Sequence, residues 1–342
     1  MIRQGRLALV MIVIGCVTVH ASAEFPYRQY ADRDAAFFRS AEARELARNV
    51  LSHQSPLGGW PKNINTGESR YAGDPEDITP TFDNDATFGE MRFLATMYSH
   101  TADDAYRAAF KRALAYILDA QYPTGGWPQR YPPPSSYHRH ITFNDHAMVN
   151  ILRLLREMLE SDDYAFLDDD ARTRLRQAYD RGIACILDTQ IEVNGKLTAW
   201  CQQHDPETLE PRGGRSYEHA SISGGESAGV LLFLMDLPDP DERVQRAVHA
   251  GIEWYQTSAI YGMRVERRDN DRVVVEDPEA PPLWARFYDI ETNRPIFSGR
   301  DGIIREHLHE IERERRTGYA WYVNSGRRAL SRFEDWKRDN SR

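Results

Sequence analysis

Acidic and amide side chains gather in three short tracts of the chain. They are Asp83-Asn84-Asp85 within residues 81–87, Asn144-Asp145-His146 within residues 142–148, and Glu226 within residues 221–228. Two carboxylates one residue apart with an asparagine between them are hard oxygen donors, the set that a divalent cation such as Ca2+ takes. The competing reading is that Asp83 and Asn144 only cap helices, because a side-chain oxygen there satisfies a free backbone N–H of the first turn. Capping needs one such residue per tract, so Asp85 and Asp145 shift the balance toward a metal. Cations stand at or near the same tracts: Lys62, Arg130 and the run Arg212-Gly213-Gly214-Arg215. The chain carries 43 Lys and Arg against 52 Asp and Glu, a net charge of −9. A local row of cations in an acidic chain suggests an anion track, since the field of the whole molecule repels anions. Lone surface Lys or Arg residues are also common without any such role.

Other chemistries fit less well. The sequence holds no twelve-residue EF-hand loop and no His-x-x-x-His zinc pair in these tracts. His146 and His204 are single and read as hydrogen-bonded structural residues. Ser227 in Gly-Glu-Ser-Ala-Gly has the form of a nucleophile elbow, but that motif needs a strand before it, which the local pattern does not supply. Trp60, Trp127 and Trp200 occupy equivalent loop positions. They read either as indoles packed between repeats or as flat rings that stack on the apolar face of a pyranose.

The elements that position these residues come from a repeat. Gln54, Gln121, Gln190 and Gln256 recur 67, 69 and 66 residues apart, each closing an apolar helical stretch. The first two run into Gly58-Gly59-Trp60-Pro61 and Gly125-Gly126-Trp127-Pro128, the third leads to Trp200, and a weaker fourth leads to Trp284. Glycine supplies the C-terminal turn and proline forbids continuation, so these tracts end one helix. The polar tracts start the next: Met148, Ile151, Leu152, Leu155 and Met158 form one stripe, and Val230, Leu231, Leu234 and Met235 another. The fold class expected from this is all-α, a stack of helical hairpins with a period of about 67 residues, and both kinds of tract fall at one end of it.

Arg3 and Arg6, an apolar run over residues 7–19 and Ala21-Ser22-Ala23 before Glu24 form an export signal, residues 1–23. A rival reading takes Cys16 as a lipid attachment site, although the apolar run continues past it. Removing the segment leaves a still more acidic chain, which argues against nucleic acid or anionic membrane as partners. Cys185 and Cys201 could pair in an oxidising compartment, but Cys185 lies in an apolar helical run, where a buried free thiol is the commoner outcome. No linker separates residues 24–50 from the repeats, and the loop-rich stretches 65–80, 132–140, 202–216 and 269–282 lie inside repeat units. Residues 24–342 are therefore read as a single domain, expected to be a monomer.

Gly58-Gly59-Trp60-Pro61-Lys62-Asn63, residues 81–87, residues 121–129 from Gln121 to Gln129, Ile141-Thr142-Phe143-Asn144-Asp145, Gly214-Arg215-Ser216-Tyr217-Glu218 and Ser223-Gly224-Gly225-Glu226-Ser227 together resemble the family 10 polysaccharide lyases, which are pectate lyases. The resemblance covers about residues 40–325. It implies an (α/α) toroid of helical hairpins and Ca2+-dependent β-elimination on polygalacturonate, with an arginine as Brønsted base. By motif position it makes Arg215 the base, Asp83 and Asp145 calcium ligands, and Arg300 in Phe297-Ser298-Gly299-Arg300-Asp301 a contact for a substrate carboxylate. It has glycine where this chain has Asp85, which leaves open an added ligand or a changed calcium affinity. Lys62, Arg130, Trp60 and Trp127 complete the expected substrate rim, with pectate oligosaccharides as partners. Two other readings stay in view. A glycoside hydrolase would need two carboxyl groups flanking the bond, for which Asp83 and Glu226 could be proposed, and a non-catalytic oligogalacturonide-binding protein would keep the cleft without turnover.

Overall fold

The computed structural model describes residues 24–340, so the signal segment and Cys16 lie outside the described residues. Helices α1 (Ala35–Phe38), α2 (Ala41–Ser52), α3 (Phe88–Thr101), α4 (Asp104–Asp119), α5 (Ala147–Glu160), α6 (Asp169–Asp188), α7 (Glu226–Met235), α8 (Glu242–Thr257), α9 (Arg313–Gly318) and α10 (Ser325–Asn340) follow one another along the chain. α3 packs on α4, α5 on α6, and α7 on α8, and α10 lies against both α7 and α8. An apolar core that draws on residues from Phe25 to Trp336 fills the space between them.

The helices start in two different ways. Those that end near a repeated glutamine are capped by their own sequence: Ser40, Asp103, Asp168 and Asp241 each accept from a backbone N–H of the first turn of α2, α4, α6 and α8. α3, α5 and α7, which follow the polar tracts, have no side-chain cap hydrogen bond. Asp83 and Asn144 are therefore not caps.

The repeated glutamines are clamps. Gln54 Nε2 donates to Gly58 O at 2.7 Å and to Ala109 O, on α4, at 2.8 Å. Gln121 repeats this with Gly125 O and Ala178 O, both at 2.8 Å, and Gln190 with Thr198 O and Ala247 O, at 2.9 and 3.0 Å. Each ties its own loop to the helix 55 to 57 residues further along the chain, and the Gln54 and Gln190 side chains are buried as they do so. The indoles follow the same rule, with Nε1 of Trp60, Trp127, Trp200 and Trp284 donating to the carbonyls of Val50, Ile117, Ile186 and Tyr255 at 2.8 to 2.9 Å. Gln256, in the weak fourth copy, is exposed and does not clamp.

The all-α expectation is wrong: the structure is mixed helix and strand. Ile141–Thr142, Gln203–His204 and Pro211–Arg212 form a three-stranded antiparallel patch. Ile222–Ser223 pairs with Phe287–Tyr288, Trp284–Ala285 with Tyr322–Val323, and Phe297–Ser298 with Ile304–Arg305. Glu192–Val193 pairs with Lys196–Leu197 in a short hairpin. The cause is the length of the loops. They lie side by side at one end of the helices, and their buried backbone groups, which no helix satisfies, pair across neighbouring loops. The longest pairing is the hairpin Met263–Arg268 with Asp271–Glu276, closed by Asp269 and Asn270 at φ 47° and 59°, the two-residue turn that matches strand twist. Among the described residues, no helix is long and apolar enough to cross a membrane.

Candidate active site

The first and second polar tracts enter one pocket through strained backbone. Asn84, Asp85 and Thr87 have φ of 53°, 64° and 80°, and Asp145 and His146 have 50° and 62°. Left-handed conformations cost a non-glycine residue about 1–3 kcal/mol each, least for Asn and Asp, and persist where the surroundings impose them. Thr87 is held by its own hydroxyl, which accepts from Trp60 N at 3.0 Å and donates to Thr81 O at 3.1 Å.

The pocket brings together Lys62, Asp83, Gln129, Asn144, Asp145, Arg215 and Glu218, with Gln202, Gln203, Tyr137 and His138 around them. Asp83 is 2% exposed. Its Oδ2 pairs with Lys62 Nζ, whereas its Oδ1 has no partner. Gln129 Oε1, buried in the same pocket, has none either. Asp145 reaches Asp83 at hydrogen-bonding distance, and Asn144 Nδ2 donates to Asp145 Oδ2 at 2.6 Å. Enclosure first, then the negative charges of Asp83 and Glu226, push the Asp145 carboxyl well above the ordinary range, opposed by Arg286. Two acids forced together, with two buried oxygens lacking donors, are a place for a cation.

Arg215 faces this acidic pair across the pocket. Its Nε and backbone N–H both donate to Glu218 Oε2 at 2.9 Å, and its Nη2 donates to Glu218 Oε1 at 2.5 Å. The guanidinium carbon lies 5.0 and 5.4 Å from the ring centroids of Tyr217 and Tyr319. Burial works against its charge, but the Glu218 carboxylate outweighs that and holds Arg215 above the ordinary arginine value.

Not every expected residue belongs to this pocket. Asp85 lines a wider cavity of about 830 Å³ on the other side of Asp145 and accepts from Asn150 Nδ2 at 2.6 Å. Trp60 and Trp127 are 0% and 1% exposed, so the sugar-stacking reading fails for both and packing between repeats is what they do. Arg130 is half-buried near His138. Arg300 lies at the rim, where its carbonyl accepts from Ser216 Oγ at 3.0 Å and its guanidinium pairs with Glu314 at 2.9 Å. His204 is buried, with Nδ1 bonded to Leu209 O and Nε2 accepting from Cys201 N. Ser227 Oγ accepts from Trp200 N and donates to Trp200 O, so it is structural. Cys185 and Cys201 are buried free thiols. Glu226 is held by Arg286 at 2.6 Å and by the Ser223 hydroxyl. That leaves it no freedom as the second acid of a hydrolase.

Gln129, Gln202, Arg286, Glu218 and Tyr319 were not singled out from the sequence. For three of them a signal exists: each stands two residues after a repeated tryptophan, as Lys62 does after Trp60, Gln129 after Trp127, Gln202 after Trp200 and Arg286 after Trp284. The buried indole anchors the loop, and the next-but-one residue reaches the pocket or its neighbouring cavity. Arg286 also lies 4.7 Å from the Tyr319 ring and donates to Asn144 Oδ1 at 3.2 Å.

The profile of the pectic acid lyase family matches residues 54–330. This chain belongs to that family. The lyase is similar to a solved family 10 polysaccharide lyase from Cellvibrio cellulosa, with 33% identity and a TM-score of 0.79 over 92% of this chain and 99% of the other. An aspartate-to-alanine mutant of the family 10 enzyme from the same organism, in complex with trigalacturonic acid, is 34% identical, with a TM-score of 0.79 over 91% of this chain and 97% of that one. A comparison with curated proteins finds no significant match. The protein is thus a pectate lyase, an enzyme of the polysaccharide lyase class.

Proposed function

We propose that this lyase cleaves polygalacturonate by β-elimination that depends on calcium, with Asp83 and Asp145 as the protein carboxylates that hold the ion and Arg215 as the Brønsted base. The observation that carries the reading is the unpartnered Asp83 Oδ1, buried beside Asp145 and across the pocket from Arg215. The donor set fits a hard cation: two carboxylates, with the Gln129 amide oxygen available beside them. Among the described residues no three His, Cys, Asp or Glu side chains converge as ligands. Two protein carboxylates leave coordination positions for a substrate carboxylate and water, consistent with a cation shared between enzyme and substrate. The complex of the similar lyase with trigalacturonic acid supports an oligogalacturonide as the ligand class.

Bound calcium would neutralise the galacturonate carboxylate and so make the adjacent C5–H more acidic. Arg215 then takes the C5 proton, the C4 glycosidic oxygen leaves with its electron pair, and a C4–C5 double bond forms. Lys62, half-exposed beside Asp83, supplies a further positive charge for a substrate carboxylate. Arg300, exposed at the rim, supplies another once it leaves Glu314. Residues 1–23 are read as an export signal, which would carry the enzyme to the periplasm or beyond it. The test is incubation with polygalacturonate while the ultraviolet absorbance of unsaturated products is followed, with calcium and with a chelator. Absorbance should appear with calcium and vanish with chelator. Reducing ends without absorbance would mean hydrolysis, and full turnover under chelator would remove calcium from the mechanism.

A further inference from the structure

Arg215, the proposed base, is gripped by an acid. Glu218 is 5% exposed, and its two oxygens accept from Arg215 N, Nε and Nη2 and from Tyr319 Oη, the last at 2.7 Å. The turn around the pair is closed by Gly214 N donating to Glu218 O at 2.9 Å and Glu218 N donating to Arg215 O at 2.8 Å. A Cβ at Gly214 would come within 2.7 Å of Glu218 Oε2 and 2.8 Å of Gln203 Oε1, so the carboxylate is packed close against the backbone there and a side chain at 214 would push it aside. A two-point grip fixes the plane of a guanidinium as well as its position. With Nε and Nη2 taken, Nη1 is the nitrogen of Arg215 that has no partner among the described residues.

We infer that Glu218, braced by Tyr319, is a positioning residue for Arg215: it occupies Nε and Nη2, leaves Nη1 as the nitrogen offered to substrate, and by its charge opposes loss of a proton from the guanidinium. The inference rests on the base role proposed above. A neutral guanidine is needed to take the C5 proton, and a paired carboxylate favours the protonated form. Orientation and basicity therefore pull in opposite directions, and Glu218 sets the compromise.

Other charges face Arg215. Arg315 lies 4.7 Å from the Tyr217 ring and Arg286 4.7 Å from the Tyr319 ring, behind the two rings that cover the guanidinium. Tyr137 and His138 approach from the loop opposite, and Lys62, Asp83 and Asp145 line the rest of the pocket. All of these stay in place when Glu218 or Tyr319 is changed, so a shift between variants reports the pair itself.

The experiment is the pH profile of kcat and KM on polygalacturonate for Glu218→Gln, Glu218→Asp and Tyr319→Phe, with circular dichroism to confirm folding. Glu218→Gln should hold KM within about threefold and lower the plateau kcat by roughly tenfold. The rise of kcat with pH, which reports the neutral guanidine, should move about one pH unit lower, because the charge that favours the cation is gone. Tyr319→Phe removes a donor that shares the Glu218 charge, so its rise should move the other way, to higher pH. Glu218→Asp keeps the charge at shorter reach and should lose kcat without the shift to lower pH. A rise that stays put in Glu218→Gln, or moves in the same direction in both variants, overturns the inference and leaves a structural ion pair. If Glu218→Gln does not fold, the sign of the Tyr319→Phe shift decides. Arg215→Lys separates the two levels. If it keeps wild-type kcat, the base assignment itself fails; if it loses kcat while the other variants shift nothing, only the positioning role fails.

Discussion

The segments that follow the repeated glutamines and the polar tracts that follow them along the chain sit at equivalent places in the first three copies, but they have fared differently. Gln54, Gln121 and Gln190 make the same pair of bonds, and Trp60, Trp127 and Trp200 the same indole bond. In the polar tracts only the hydroxyl of Thr87 recurs, as Ser227, each receiving a tryptophan backbone N–H. Asn84-Asp85 and Asp145-His146 share left-handed backbone, whereas Gly225 in the third tract is at φ −92°. Counted from the repeat, Asp83 matches Asn144 and Asn84 matches Asp145, so the two facing acids occupy successive rather than equivalent positions. Repetition persists where buried backbone groups must be satisfied, because an orphaned amide costs every copy equally. It lapses where the residues meet the pocket.

The sharpest break in that comparison would come from the acids. Asp83→Ala and Asp145→Ala should each lower turnover by roughly 10²–10³, the scale of a lost electrostatic contact to the transition state. Thermal unfolding of Asp145→Ala should be unchanged or slightly later, since its repulsion with Asp83 is relieved, whereas Asp83→Ala also gives up the ion pair with Lys62 and should lose some stability, short of a core truncation. A loss of melting temperature like that of a core truncation would show the tract to be structural after all. Gln121→Ala should do the reverse. It strips Gly125 O and Ala178 O of their donor and should cost roughly 2–4 kcal/mol in denaturant unfolding, with kcat unchanged well below the melting temperature.

Glu90 sharpens the contrast within the helices, because it stands in α3 where the second and third copies have Ile151 and Val230. Its Oε1 accepts from Thr66 Oγ1 at 2.9 Å, its Oε2 has no partner, and burial pushes its carboxyl up to about 7. The folded state prefers the neutral acid while the unfolded chain ionises at the ordinary value. Stability is therefore fully present below about pH 4.5 and is lost as pH rises toward 7, on the order of 3 kcal/mol in total. Unfolding of Glu90→Gln measured from pH 4 to 8 should lack that slope, and an unchanged slope would place its source elsewhere. The smallest effect concerns the third clamp. Arg112 and Arg181 donate to Gln54 and Gln121 Oε1, but Ala250 stands at the matching place in α8 and Gln190 Oε1 is left without a partner. Ala250 borders an open groove, so Ala250→Arg should stabilise by about 1 kcal/mol, read as a higher denaturant midpoint.

The strands were hidden for a reason that the hairpin Met263–Arg268 and Asp271–Glu276 makes plain. Its Val273-Val274-Val275 run and Asp269-Asn270 turn were signals of the right kind, yet they sat in a stretch classed as loop. The shorter pairings, such as Ile141–Thr142 with Gln203–His204, have no local signal, because two residues show no period and their partners lie some sixty residues away. Lys62, Asp83, Asp145 and Arg215 could be named from their motifs. Glu218 and Tyr319 could not, since a lone acid and a tyrosine acquire a role only from what they touch.

By itself the sequence determined the period, the helices of the repeats, and the family through several motifs in order. These follow from local spacing and from groups that each copy must satisfy within its own segment. The tertiary structure alone decided that Asp83 meets Asp145, that Asp85 turns to a different cavity, that the tryptophans are buried, and that Glu218 holds Arg215. Each of those is a meeting of loops far apart in the chain, set by how the helices pack and by which buried oxygens are left without a donor.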